Sequence, residues 1–133
     1  MKVVKVLLIL ALVYVGIVVL FESLIGYFQP EGAGTLTIIT TDGQGDAHDR
    51  VLSRLESNGQ LYVAVNHWPR AWYRQVLENP NVEVELDGER RDYRAVPVDG
   101  AEHDRVDAEH PLGWAVRVLT GFPPRYFVRL EPR

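Results

Sequence analysis

The segment Val6–Phe21 constrains the fold most, because it contains sixteen consecutive uncharged and mostly aliphatic residues. As a helix it spans about 24 Å, and apolar neighbours on both sides extend it toward the roughly 30 Å of a hydrocarbon core. A helix that is apolar all round is not expected inside so small a domain. We therefore predict that residues 1–29 are a single-pass transmembrane anchor. A cleaved signal peptide is the alternative, although Phe21–Leu24 contains no A-x-A-like pattern of small residues.

Lysines flank the apolar segment on one side only. Lys2 and Lys5 precede it, and the next positive residue is Arg50. The positive-inside rule therefore predicts a cytoplasmic N-terminus and an extracytoplasmic domain. The lipid bilayer is a predicted partner, and a second copy of the chain or another membrane protein is a further candidate.

The rest of the chain is acidic and contains no lysine. Residues 30–133 carry 12 Arg and 17 Asp or Glu, a net charge of −5, so they form no basic stripe for nucleic acid. The absence of cysteine excludes disulfides, a cysteine nucleophile and thiolate metal ligands. Three Trp, six Tyr and four Phe argue against disorder.

After a glycine-rich linker at 30–34, the pattern of residues predicts an α+β domain that is mainly antiparallel β. Asn58-Gly59 and Asp87-Gly88 are strong hairpin signals, and hairpins produce antiparallel sheets. A small closed or half-closed barrel of six strands with inserted helices would hide the sheet edges. The predicted strands are 35–41, 50–56, 60–65, 81–86, 90–98 and 125–130, and the predicted helices are 69–78, 101–109 and 111–119.

Residues 66–74 form the stretch that is richest in functional side chains, with two Trp, one Tyr, two Arg and one His between a strand and a helix. A helix N-terminus suits an anionic ligand, and aromatic rings beside it can stack on a planar group. The alternative is structural: Trp72 and Tyr73 pack in the core while Arg70 and Arg74 pair with acidic residues.

Two patterns suggest metal binding only weakly. His103, Asp107 and His110 share one helix face, but they lie among acidic residues typical of a solvated polar helix. The run 42–46 begins like a calcium loop but lacks the glycine at the sixth position and the glutamate at the twelfth. We predict no metal site.

The run His67–Val84 (HWPRAWYRQVLENPNVEV) resembles the deazaflavin-dependent nitroreductase and quinone reductase family, whose loose pattern here is H-P-x-W-Y-x-N-L-x-x-N-P-x-V-x-V. The similarity continues through Gly88, Tyr93–Val98 and Arg125–Pro132, and it covers roughly residues 35–133. It implies a split β-barrel domain over these residues, with a deazaflavin or FMN held in a groove. It also implies hydride transfer to a quinone or a nitro compound.

This resemblance assigns candidate residues to two parts of a cofactor site. His67 is the candidate for acid–base catalysis. The groove candidates are Asn66, His67, Trp68, Arg70, Trp72 and Tyr73, and those for the phosphate end are Gly43, Gln44, His48 and Arg50.

The loop after the first strand departs from the family pattern. Members carry Thr-Thr-x-Gly-Arg-Lys-Ser-Gly, whereas Thr40–Asp46 reads TTDGQGD. Replacement of Arg-Lys by Gln44-Gly45, together with the added Asp42 and Asp46, predicts a loop that repels anions. Either Arg50, Arg70 and Arg74 hold the phosphate instead, or no cofactor binds. The two resulting hypotheses are a membrane-anchored oxidoreductase acting on quinones and a non-catalytic, membrane-anchored binding or assembly module.

Overall fold

The computed structural model describes residues 1–27, 34–65 and 71–133, and places one long helix before an antiparallel sheet with three shorter helices. The elements in chain order are α1 (Lys2–Tyr27), β1 (Thr35–Thr41), β2 (Ala47–Ser53), β3 (Leu55–Ser57), β4 (Gln60–Val65), α2 (Ala71–Glu78), β5 (Asn81–Leu86), β6 (Glu89–Val98), α3 (Gly100–Glu109), α4 (Trp114–Leu119) and β7 (Tyr126–Pro132).

Helix α1 contains the apolar segment, as predicted. Its most apolar stretch, within Lys2–Leu24, has a mean hydropathy of 3.0 and no buried residue. Within the described ranges it is the one helix long and apolar enough to cross a membrane, and a signal sequence has the same properties. Helix α4 lies beside it, where the Tyr14 hydroxyl donates a hydrogen bond to the Val118 carbonyl at 2.8 Å.

The sheet order β2-β1-β5-β6-β7-β4-β3 makes β2 and β3 the two edge strands, and every neighbouring pair is antiparallel. A single residue, Arg54, separates these two strands along the chain. Because both edges meet at one residue, the sheet must curl into a barrel. This geometry confirms the predicted fold class but corrects the strand count. The predicted strand 50–56 is two strands, so the described part of the chain has seven.

Two tight hairpins have the geometry that their sequences predict. Asn58-Gly59 joins β3 to β4, and Asp87-Gly88 joins β5 to β6. All four residues have positive φ, at 50° and 75° in the first turn and 52° and 79° in the second. Two consecutive positive φ angles match the twist of the flanking strands, which is why Asn-Gly and Asp-Gly favour this connection.

The core fills the barrel interior from alternating strand positions. On β4, Val63 and Val65 face inward, whereas Tyr62 and Ala64 face outward and pack with Val106 of α3. The inner cluster of buried residues comprises Leu36, Ile38, Leu52, Val63, Val65, Trp72, Val76, Val82, Val84, Ala95, Val128 and Leu130. Strand β4 is therefore covered on both faces.

A polar network fixes α3 to the outer face of the barrel. The Tyr62 hydroxyl donates to the Glu102 carboxylate at 2.7 Å, and Glu102 also pairs with Arg129. Arg105 donates to Ser57 Oγ at 3.0 Å and to the Tyr62 hydroxyl at 3.2 Å. The Arg129 hydrogen bond, followed by that from Tyr62, lowers the pKa of Glu102, so this carboxylate stays ionised and anchors the helix.

Candidate functional site

Helix α2 lies across one end of the barrel. Thr40, near the end of β1, donates a hydrogen bond from its hydroxyl to the Gln75 side chain of α2. On the other side of the helix, Tyr73 stacks on Tyr126 at the start of β7. Since β5 and β6 separate β1 from β7 in the sheet, a helix that contacts both must cross the barrel opening.

The sequence of α2 explains its position. Trp72 and Val76 are one turn apart and are its buried residues, with exposures of 4% and 1%. The helix ends at Asn79, whose N–H donates to the Gln75 carbonyl at 2.7 Å and whose side chain accepts from the Asn81 N–H at 3.2 Å. With the Trp72–Val76 stripe inserted into the core, Tyr73 and Gln75 are directed to opposite walls of the opening.

One wall of the opening is aromatic. We call Trp72, Tyr73 and Tyr126 the aromatic platform. The Tyr73 and Tyr126 rings stack with centroids 5.4 Å apart and an interplanar angle of 18°. Trp72 meets Tyr73 edge-on at 5.9 Å. Burial, and then the neighbouring Tyr126, raises the pKa of Tyr73, so its phenol is neutral at physiological pH.

Trp72 carries a buried donor that has no partner within the described ranges. The residue is 4% exposed, and its indole N–H meets no acceptor among residues 1–27, 34–65 and 71–133. Leaving a buried N–H unpaired costs about 1–3 kcal/mol. An acceptor brought against this nitrogen would remove that cost.

The other wall ends in the β1–β2 loop, Asp42–Asp46, which we call the carboxylate loop. Asp42 Oδ1 accepts the backbone N–H groups of Gln44 at 2.9 Å and Asp46 at 3.0 Å. Asp42 Oδ2 lies 2.7 Å from Nε2 of His48. The hydrogen bond from His48, followed by that from the Asp46 backbone, lowers the pKa of Asp42 below its ordinary value. The loop thus holds an ionised carboxylate at its centre.

Strand pairing places Arg50 close to this loop. Arg50 lies opposite Ile38 and His48 lies opposite Thr40, so both follow the face of the sheet that lines the barrel interior. Arg50 is half-buried, whereas His48 is exposed. Within the described part of the chain, Arg50 is therefore a predicted phosphate contact that follows the interior face of the sheet toward the opening.

The structure brings six of the predicted site residues to the same end of the barrel. Trp72 and Tyr73 belong to α2, and the others belong to the carboxylate loop or β2, namely Gly43, Gln44, His48 and Arg50. The remaining predicted residues, Asn66, His67, Trp68 and Arg70, lie outside the described residues. The proposed catalytic role of His67 stays a prediction.

Sequence reasoning missed three contributors to the opening, namely Thr40, Gln75 and Tyr126. The signal for Tyr126 was present, because it lies two residues before the inward-facing Val128 and therefore continues the same face. The Thr40–Gln75 contact joins residues 35 positions apart. No local pattern reports such a pair.

The three side chains weighed as metal ligands have separate partners. His103 bonds to the Arg125 carbonyl at 2.9 Å, and Asp107 accepts from the Arg125 guanidinium at 2.6 Å. His110 instead bonds to the Glu56 carbonyl at 2.9 Å. His103 and Asp107 border a cavity of about 450 Å³ beneath α4, where their contacts hold α3 against β7.

A curled antiparallel sheet with a helix across one opening is a split β-barrel, and solved structures share this fold. HutZ, the heme storage protein from Vibrio cholerae, is 23% identical, with a TM-score of 0.59 over 85% of this chain and 90% of that chain. An F420-H2 dependent reductase, FDR-A, is 21% identical, with a TM-score of 0.55 over 72% and 93%. A pyridoxamine 5′-phosphate oxidase-related, FMN-binding protein from Nostoc punctiforme is 18% identical, with a TM-score of 0.57 over 75% and 71%.

The family itself follows from the sequence match. The model of the F420H(2)-dependent quinone reductase family matches residues 22–116, and the chain belongs to this family. This membership confirms the resemblance drawn from His67–Val84. No curated protein matches the chain closely enough to count as a relative.

The two walls of the opening differ in the chemical groups that they suit. The aromatic platform and the Trp72 N–H suit a planar ring with carbonyl groups. The carboxylate loop does not suit a phosphate, because Asp42 already accepts the N–H groups of Gln44 and Asp46. The platform therefore has the chemistry to contact the ring of a deazaflavin, a flavin or a quinone, whereas the loop does not suit a phosphate.

Proposed function

We propose that the chain is a membrane-anchored quinone reductase, with its reaction at the barrel opening beneath α2. The observation that carries this proposal is the stacked pair Tyr73–Tyr126 beside the buried Trp72 N–H, which meets no acceptor in the described part of the chain. Stacked aromatic faces bind planar rings, and a buried donor selects rings with a carbonyl at the edge. Quinones and the ring systems of deazaflavins and flavins have both properties. Family membership supports the same chemistry.

The residues of the opening would act by positioning and electrostatics. When bound, a deazaflavin or FMN would supply the hydride. Tyr73 and Tyr126 hold an acceptor ring by stacking, and the raised pKa of Tyr73 keeps its phenol uncharged against that ring. The Trp72 N–H donates to a ring carbonyl oxygen, which gains negative charge as a quinone is reduced. A donor fixed at the position where charge develops stabilises the transition state.

Helix α1 supplies the membrane part of this proposal. Its apolar side chains are exposed, which suits contact with lipid. We propose that α1 is a single-pass anchor, with residues 35–133 as the catalytic domain and the lysines of the N-terminus on the cytoplasmic side. Tethering raises the local concentration of a lipophilic quinone near the opening. Nitro compounds are the second proposed acceptor class, and a second copy of the chain is a proposed partner.

A spectroscopic binding assay on the full chain in detergent tests this function. Reduced deazaflavin or FMN is added, and its absorption and fluorescence are followed before and after addition of menadione, a soluble quinone. We expect binding followed by reoxidation of the cofactor. Trp72→Phe keeps an aromatic ring but removes the N–H, so it should weaken menadione binding about tenfold.

Trp114→Phe is the matched control, because Trp114 is 75% exposed on α4 and should leave binding unchanged. Equal binding by the wild-type chain and Trp72→Phe would contradict the proposed role of the N–H. Protease accessibility of the domain in intact cells tests the proposed side of the membrane.

A non-catalytic binding or assembly module on the same scaffold is the second candidate. The observation that favours it is the engagement of the carboxylate-loop N–H groups by Asp42. A chain that takes up neither FMN nor deazaflavin, and does not bind menadione, would support this candidate and reject the reductase.

A further inference from the structure

The carboxylate loop has the geometry of an anion site whose anion belongs to the chain itself. Two donors, the N–H groups of Gln44 and Asp46 on either side of Gly45, converge on Asp42 Oδ1 at 2.9 and 3.0 Å. The His48 ring lies 2.7 Å from the other oxygen. Backbone N–H groups that converge on one oxygen are a common way for proteins to bind phosphate. In this loop, the oxygen that accepts them belongs to Asp42 of the same chain.

The carboxylates around the loop act in the same direction, with Arg50 of β2 as the opposing cation on the face of the sheet that it shares with His48. The Asp42 side chain is only 19% exposed, so little of it is open to exchange with a solvent anion. Asp46 and Asp49 follow within seven residues and add two more carboxylates. His48 contacts Asp42 and does not point away from the loop as a free cation would. An incoming phosphate would meet like charge and occupied donors.

We propose that Asp42 is a specificity-determining residue that takes the place of a ligand phosphate and closes the β1–β2 loop to phosphate groups. The opening therefore selects ligands by their rings. At the carboxylate loop, a quinone, which has no phosphate, is preferred over a cofactor that carries one. This preference rests on the proposed function. The occupation of the loop by Asp42 rests on the contacts of its carboxylate alone.

The test is titration of the full chain in detergent with inorganic phosphate, followed by the NMR shifts of the Gln44 and Asp46 amides. The wild-type chain should show no saturable shift at millimolar phosphate. Asp42→Ala empties the position and leaves its two donors, so it should bind phosphate at least tenfold more tightly. Asp46→Asn is the matched control, because it removes the same charge but leaves the Asp42 carboxylate in place.

The outcomes distinguish occupation of the two N–H groups by Asp42 from simple charge repulsion of phosphate. Equal gains in Asp42→Ala and Asp46→Asn would overturn the proposal, since charge alone would explain them. Saturable binding by the wild-type chain would also overturn it. If the amide spectrum of Asp42→Ala shows that the loop is no longer folded, Asp42→Gly, which also removes the acceptor oxygens, replaces it in the same comparison.

Menadione binding is measured on the same variants to separate this proposal from the proposed function. Phosphate binding by Asp42→Ala without menadione binding by any variant would reject the ring site but support the role of Asp42. Menadione binding with no gain of phosphate binding in Asp42→Ala would support the ring site and reject the role of Asp42.

Discussion

The aromatic platform and the carboxylate loop lie at the same end of the barrel, yet their donors are satisfied in opposite ways. Trp72 presents a buried N–H with no acceptor among the described residues. The N–H groups of Gln44 and Asp46 are both engaged by Asp42. This difference is the basis for proposing a ring site on one side of the opening and exclusion of phosphate on the other.

The largest effect on stability is expected from removal of Trp72, the buried member of the aromatic platform. Trp72→Ala deletes a large side chain that is 4% exposed, so it should lower the free energy of unfolding by about 3–5 kcal/mol. Trp114→Ala deletes the same side chain where it is 75% exposed and should change stability by no more than about 0.5 kcal/mol. Urea denaturation of both variants measures the contrast. Similar losses would show that α2 does not depend on Trp72 for its position.

A smaller effect on stability is expected from removal of Tyr126, the exposed member of the aromatic platform. Tyr126→Ala removes the stacked partner of Tyr73 and should cost about 0.5–1.5 kcal/mol. It should also bring the pKa of Tyr73 back toward its ordinary value, because burial raises that pKa first and Tyr126 second. Absorbance titration of the phenols measures the shift. Tyr126→Phe keeps the ring and should retain stability, and a loss equal to that of alanine would argue against stacking.

Local chemistry explains which parts of the fold were predictable. The Asn58-Gly59 and Asp87-Gly88 turns need positive φ at adjacent residues, and few residue pairs supply it. The strand 81–86 was predicted with its observed bounds because inward Val82 and Val84 alternate with Glu83 and Glu85. The break at Arg54 was not predictable. It marks a change of partner from β1 to β4, which depends on the closed barrel.

The site was predictable in composition but not in its contacts. Trp72 and Tyr73 could be nominated because aromatic residues and arginines cluster at a helix start. The inward-facing position of Tyr126 could also be read from its strand, but its contact with Tyr73 could not, because the two residues lie 53 positions apart in the chain. Two aspartates among glycines predicted a loop that repels anions. The conformation of the loop adds that one of these carboxylates, Asp42, accepts the loop's own N–H groups.

The smallest effect concerns the protonation of Asp42, and it sharpens the contrast between the two walls. The folded-state pKa of Asp42 is lowered, so its stabilising contribution is complete above the ordinary value of 3.8 and is lost as pH falls through the lowered pKa. NMR titration of the Asp42 carboxyl carbon should give a midpoint below 3.8. The hydrogen bond from His48 is the largest cause, so His48→Ala should move the midpoint back toward 3.8.

The backbone N–H groups should keep part of the shift in His48→Ala, since they remain after the imidazole is gone. Trp72→Phe, at the opposite wall, should leave the midpoint unchanged. If the Asp42 midpoint changes in Trp72→Phe but not in His48→Ala, the two walls are coupled through α2. Occupation of the loop then cannot be treated as separate from the ring site. If the midpoint changes only in His48→Ala, the Asp42 carboxylate is held by its own loop, and changes in the aromatic platform do not affect it.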